Sequence, residues 1–111
     1  KEESWMLLVN IEYIPGKEIE ALGMVKGTVV QSKNFGKDFM AGMKTLVGGE
    51  ITGYTEMLNE ARQIAVKRMV DEAKELGADA VIGVRYGSSQ VMNGAAEVIA
   101  YGTAVKYLKQ S

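Results

Sequence analysis

Lys37-Asp38 and Arg62 are the charged residues set most tightly among apolar neighbours, so chemistry is sought there first. A cation beside a carboxylate in such a setting orients an anionic ligand, or forms a helix-face ion pair that serves stability alone. Gly48-Gly49, with Glu50 after it, stands where one helical pattern gives way to another. Its backbone amides would face an anion at the start of the second helix. The plainer reading is a helix stop and a tight turn, because glycine accepts the left-handed cap without strain. Glu56 and Glu60 share a helix face, as do Asp71 and Glu75, which is the geometry of a hard-cation pair and also of a solvated face. Met40 and Met43 offer two thioethers to a soft ion, but beside Phe39 they read as core filler.

What is missing narrows the chemistry further. The chain has no cysteine and no histidine, which removes disulfides, thiolate catalysis, imidazole acid–base work and every metal site built from those ligands. Gly16-Lys17 and Gly36-Lys37 lack the upstream glycine and the following Ser or Thr of a phosphate-binding loop, and no G-x-G-x-x-G occurs. Neither Ser88 nor Ser89 sits in a nucleophile elbow. Catalysis by a shifted lysine or carboxylate stays open, so an enzyme is the least favoured class and no catalytic residue is assigned. Thirteen basic against fourteen acidic residues give a net charge of −1, which offers no field for nucleic acid. No apolar run has the length of a membrane span, and no secretory pattern follows Lys1, so a cytoplasmic protein without membrane contact is expected.

The elements that must position these residues show in the periodicity. At 111 residues, with 47% apolar and 24% charged, the chain reads as a single domain over 1–111 with an ordinary core, residues 1–5 forming an extended or disordered tail. Leu7 to Ile14 reads as a strand closed by Pro15-Gly16, and Ile19 to Ser32 as a bent strand, or two short ones, broken at Gly23 and Gly27. Phe35, Phe39, Met43 and Leu46 predict a first helix, capped by Asn34 and stopped at Gly48. Tyr54, Leu58, Ala61, Ala65, Met69, Ala73 and Leu76 predict a second, ended by Gly77. Ala80 to Val84 reads as a buried strand. Asn93-Gly94 predicts a type I′ hairpin loop, which sets Tyr86 opposite Tyr101 and Ile82 opposite Val105. The expectation is an α+β fold: a mostly antiparallel, bent sheet with two helices inserted between N-terminal and C-terminal strands.

Several separated segments resemble one family. They are Asn34 to Val47 with Gly48-Gly49, enclosing Lys37-Asp38 and Ala41; Tyr54; Ala61-Arg62 with Ala65; Gly77-Ala78-Asp79-Ala80-Val81-Ile82-Gly83-Val84; and Tyr101-Gly102-Thr103-Ala104-Val105-Lys106. Together they are similar to the YbjQ-like family of small bacterial and archaeal proteins, from about Pro15 to Lys106. The resemblance implies a ring-forming subunit, a homopentamer, and a heavy-metal-binding label without an established activity. Many members carry acids where this chain has Arg85, Tyr86 and Gly87, and a basic residue where it has Glu50.

Three function classes follow. The first is a small oligomeric protein binding a metal ion or a small anionic ligand at subunit interfaces, through Lys37, Asp38, Gly48, Gly49, Glu50 and Arg62. The second is a structural or regulatory homo-oligomer whose partner is another protein. An enzyme comes third. No cofactor is evident from the residues, and a metal ion enters by the family resemblance alone.

Overall fold

The computed structural model describes residues 6–32 and 52–109. Four strands and one helix lie within them: β1 (Leu7–Leu8), β2 (Ile19–Ser32), α1 (Thr52–Glu75), β3 (Ala80–Met92) and β4 (Ala95–Tyr107). The strands form one sheet in the order β1-β3-β4-β2. β2 and β3 each run antiparallel to β4, whereas β1 pairs with β3 in parallel through Leu7 opposite Ala80 and Leu8 opposite Val81. The sheet is therefore mixed rather than antiparallel: a chain that leaves β1, crosses to β2 and returns through a helix enters β3 in the direction of β1. The expected helix from Phe35 to Leu46 lies outside the described residues. No helix among the described residues is long and apolar enough to cross a membrane.

α1 lies over β2 and β4. Met57, Ala61, Ala65, Met69 and Ala73 recur every four residues and are all buried, one stripe facing Val25, Val29, Val98, Ala100 and Ala104. Within the predicted stripe Met57 is buried where Leu58 is expected and Leu58 is only half-buried, while Leu76 stays 46% exposed. The helix ends as Gly77 demands: at φ +80° it lets the Ala78 amide reach the Ala73 carbonyl and its own amide reach Lys74, a Schellman cap.

Gly27 does not break β2, which runs unbroken from Ile19 to Ser32. Its hydrogen is what lets the helix sit down. A Cβ there would lie 2.0 Å from the Ala65 carbonyl oxygen and 2.5 Å from the Met69 amide nitrogen. The irregularity is at the other glycine, where a bulge between Ala21 and Gly23 shifts the pairing with β4. The outer edge of β2 is covered from the helix. Glu72 accepts the Lys26 amide at 2.7 Å, and Arg68 donates to the Thr28 carbonyl at 2.7 Å. Filling an edge with side chains in this way keeps other strands off it.

The expected strand from Leu7 to Ile14 is regular only over Leu7–Leu8. Beyond it the chain stays tethered through Val9 to Val81 and through Ile11 to Gly83. It then turns at Ile14-Pro15-Gly16-Lys17, closed by the Lys17 amide on the Ile14 carbonyl with Gly16 at φ +78°. Ile14 is buried with Ala80, Ile82 and Val105 in a second apolar cluster, away from α1.

The hairpin loop falls at Asn93-Gly94 as read, but the register does not. Gly94 has φ +78° and no other residue type has a positive φ among the described residues, so Asn93 is not left-handed and the turn is not type I′. A left-handed glycine after an ordinary turn residue adds a bulge, and pairing slips by one between Gln90 and Met92. Tyr86 consequently faces Ala100, and Tyr101 faces Arg85. A second bulge between Ile82 and Arg85 adds another slip, and the two together set Ile82 opposite Thr103 rather than Val105.

Gly27→Ala is expected to cost about 3 kcal/mol, the upper end of overpacking, because the atoms it meets are helix backbone rather than a movable side chain. Urea unfolding should show this as a lower midpoint at unchanged slope.

Candidate functional site

The second bulge positions the site. Gly83 adopts φ +62°, and opposite it Gly102 must stay bare, since a Cβ there would come within 2.8 Å of Val81 Cγ1 and 2.9 Å of the Ile82 carbonyl. Two residues of β3, Gly83 and Val84, are thereby accommodated against one of β4. The amides of Gly83 and Val84 turn toward Ile11 and Val9, at 2.8 and 3.0 Å, and tie the β1 segment to the bulge. The extra residue inverts the alternation of β3. Val81 and Ala100 both belong to the core under α1, and Tyr86, opposite Ala100, emerges on that same side.

Tyr86 is the wall shared by two open grooves. One, of about 730 Å³, is bounded by Leu8 to Ile11 and by Val84, Arg85 and Tyr86. The other, of about 570 Å³, runs between β3 and the helix and is lined by Asn59, Arg62, Gln63, Val66, Lys67 and Tyr86. Arg62 donates to the Asn59 side-chain oxygen, and Lys67 pairs with Asp71 at 3.0 Å, one turn along. In the first groove Arg85 donates to the Asn10 carbonyl at 2.9 Å and the Val84 carbonyl at 3.2 Å, with Glu12 at 3.7 Å. Three cations thus flank one aromatic ring, and no carboxylate is among the described residues that line either groove. Such a surface suits an anion, above all one that takes two parallel bonds from a guanidinium.

Of the residues read as a site from the sequence, Arg62 is here. Lys37, Asp38, Gly48, Gly49 and Glu50 lie outside the described residues, as do Met40 and Met43. Tyr86, Arg85, Lys67 and Asn59 were missed. Asn59, Arg62, Val66 and Lys67 fall at helical spacings on one flank of α1, a signal present in the sequence; the partner across the groove was hidden by the assumed register.

Among the described residues, a small α+β fold with a helix on a four-stranded sheet and an open groove lined by cations is the class these features define. The matches with known proteins make it specific. A family model described as "putative heavy-metal-binding" matches residues 6–108. A UPF0145 protein of Clostridium novyi is 66% identical over 103 residues, covering 93% of this chain and 100% of that protein. One of Thermotoga maritima is 60% identical over 105 residues, with 94% and 99% covered. The chain belongs to the YbjQ-like family, the UPF0145 proteins. A crystal structure from Pediococcus pentosaceus, of a protein of unknown function in the DUF74 family, is similar at a TM-score of 0.63 with 19% identity, covering 93% of this chain and 98% of that one. That likeness concerns the fold.

The residues present do not fit the family's metal label. Soft heavy metals are held by thiolate and imidazole, and the chain has neither. No group of three or more acids among the described residues converges on a point where an ion would sit. Asp71 is engaged with Lys67, and Glu60 accepts from Gln31 at 3.1 Å. Equilibrium dialysis of untagged protein against Zn²⁺ and Cd²⁺ is expected to give no submicromolar, stoichiometric binding; one ion per chain at that affinity would show that the donor argument fails.

Proposed function

We propose that this chain is an anion-binding subunit of a cytoplasmic homo-oligomer, with the groove between α1 and β3 as its binding face. The observation that carries the reading is the charge distribution. Arg62, Lys67 and Arg85 surround Tyr86 with no carboxylate among the described lining residues, while Asp71 and Glu12 pair with Lys67 and Arg85 from outside the grooves, in a chain whose net charge is −1. Arg62 spends a donor on Asn59 and keeps others for an incoming oxyanion, while Asn59 and Gln63 add neutral donors beside it. Apolar walls from Val66 and the Tyr86 ring lower the local dielectric and strengthen the pairing. On sequence grounds, Lys37, Asp38, Gly48, Gly49 and Glu50 complete the proposal as ligand-binding residues contributed near subunit interfaces.

The assembly belongs to the proposal too. A ring of five is what membership of the family suggests, and the face of the sheet opposite α1 supports association. Met24, Val30 and Tyr101 stand there 78%, 62% and 37% exposed, more apolar surface than a lone small domain normally leaves in water. Sedimentation at micromolar concentration is expected to give a species several times heavier than 12.1 kDa. A clean monomer would remove the oligomeric half of the reading.

Thermal unfolding tests the other half. With inorganic phosphate or citrate present, the melting temperature of the protein is expected to rise with concentration, since a ligand at a hundred times its Kd adds about 2.7 kcal/mol to folded-state stability. Arg62→Ala should lose most of that rise while folding normally, because the side chain is only half-buried and is not part of the apolar core. Equal rises in both proteins would place anion binding elsewhere.

A further inference from the structure

The sheet has two outer edges, and the chain treats them differently. β2 is guarded where Glu72 and Arg68 occupy the Lys26 amide and the Thr28 carbonyl. Among the described residues, β3 is covered only at its start, where β1 pairs with Ala80 and Val81 and the following residues reach Gly83 and Val84. From Tyr86 to Met92 no strand among the described residues lies on its outer side. The run Tyr86-Gly87-Ser88-Ser89-Gln90-Val91-Met92 contains no charge and no proline, the two residue classes that keep edges from pairing. It stays in register with β4 from Tyr86 to Gln90, so it presents a regular row of backbone donors and acceptors over that stretch, and a bulge at Val91 interrupts the row before Met92. Val91 and Met92 are 48% and 66% exposed along it.

We infer that the outer edge of β3 from Tyr86 to Met92 accepts an added strand, and that this strand is an extended acidic peptide. The choice of occupant follows from charge and rests on the anion-binding reading of the grooves. A strand laid against β3 projects alternate side chains to opposite faces of the sheet. At Tyr86 both faces are flanked by cations: Arg62 and Lys67 stand on the α1 side, and Arg85 borders the groove shared with β1. An acidic strand meets guanidinium or ammonium groups whichever way its alternation falls. A basic strand meets repulsion on both sides. Backbone pairing supplies affinity without sequence demands, and the cations at one end set register and charge preference.

The experiment uses the full chain and a blocked synthetic peptide of alternating valine and glutamate. Calorimetry and amide hydrogen exchange are run with this peptide, with a version carrying glutamine for glutamate, with a version N-methylated at alternate amides, and with inorganic phosphate. The acidic peptide is expected to bind at least about tenfold more tightly than either altered version and to slow exchange at alternate amides between Tyr86 and Met92. Equal binding of the N-methylated peptide overturns the added strand and leaves a charge-only contact. Equal binding of the glutamine peptide overturns the acidic preference. Binding of phosphate without binding of the acidic peptide overturns this inference while the anion-binding reading stands. Failure of both overturns the two together. Exchange already slow at Tyr86 to Met92 in the protein alone, with sedimentation giving an oligomer, also overturns it, since a second copy then holds the edge.

Discussion

The close approach of a helix backbone to Gly27 is the contact on which the rest of the structure depends. A helix and a sheet normally pack at a distance set by intervening side chains, and here the intervening side chain is a hydrogen. The alanines of α1 follow from that distance, because Ala61, Ala65 and Ala73 leave room for the sheet where a leucine would push it away. The same closeness brings Arg68 and Glu72 within reach of the backbone of β2, so the guard on that edge is a consequence of the core packing. Met69 fills the space that remains, which suits a flexible, unbranched side chain.

The paired glycines 83 and 102 are the second constraint, and they act on the site rather than the core. A bulge changes which face every later residue of its strand occupies. Through it Tyr86 reaches the helix side and Arg85 turns back to the segment after β1, where carbonyls of Asn10 and Val84 accept from its guanidinium. The two grooves share a wall because one strand serves both sides at that point. Membership of the YbjQ-like family explains the fold but brings a metal label that the donor set of this chain does not support. The oxyanion ligand proposed above accords with a cysteine-free, histidine-free chain that carries arginines beside an aromatic ring, since arginine binds oxyanions through directed pairs of hydrogen bonds.

Much of the fold was legible in the residues because it rests on local rules. The four-residue recurrence from Ala61 to Ala73 announces α1 and its buried face, Gly77 announces its end, and Asn93-Gly94 announces the hairpin. Arg62, which lines the groove of the proposed site, stands out in the sequence as a cation among apolar neighbours.

The mixed sheet, the register and the partners of Arg62 were decided by tertiary structure. Parallel pairing of β1 with β3 joins segments more than seventy residues apart, and no local pattern encodes the direction in which they meet. Register was misread because Asn-Gly allows more than one turn, and each bulge shifts everything beyond it by a residue. Gly23 and Gly27 look alike in the sequence, yet one carries a bulge and the other carries a helix. A glycine's meaning is set by what approaches it, and that approach exists only when distant parts of the chain have come together.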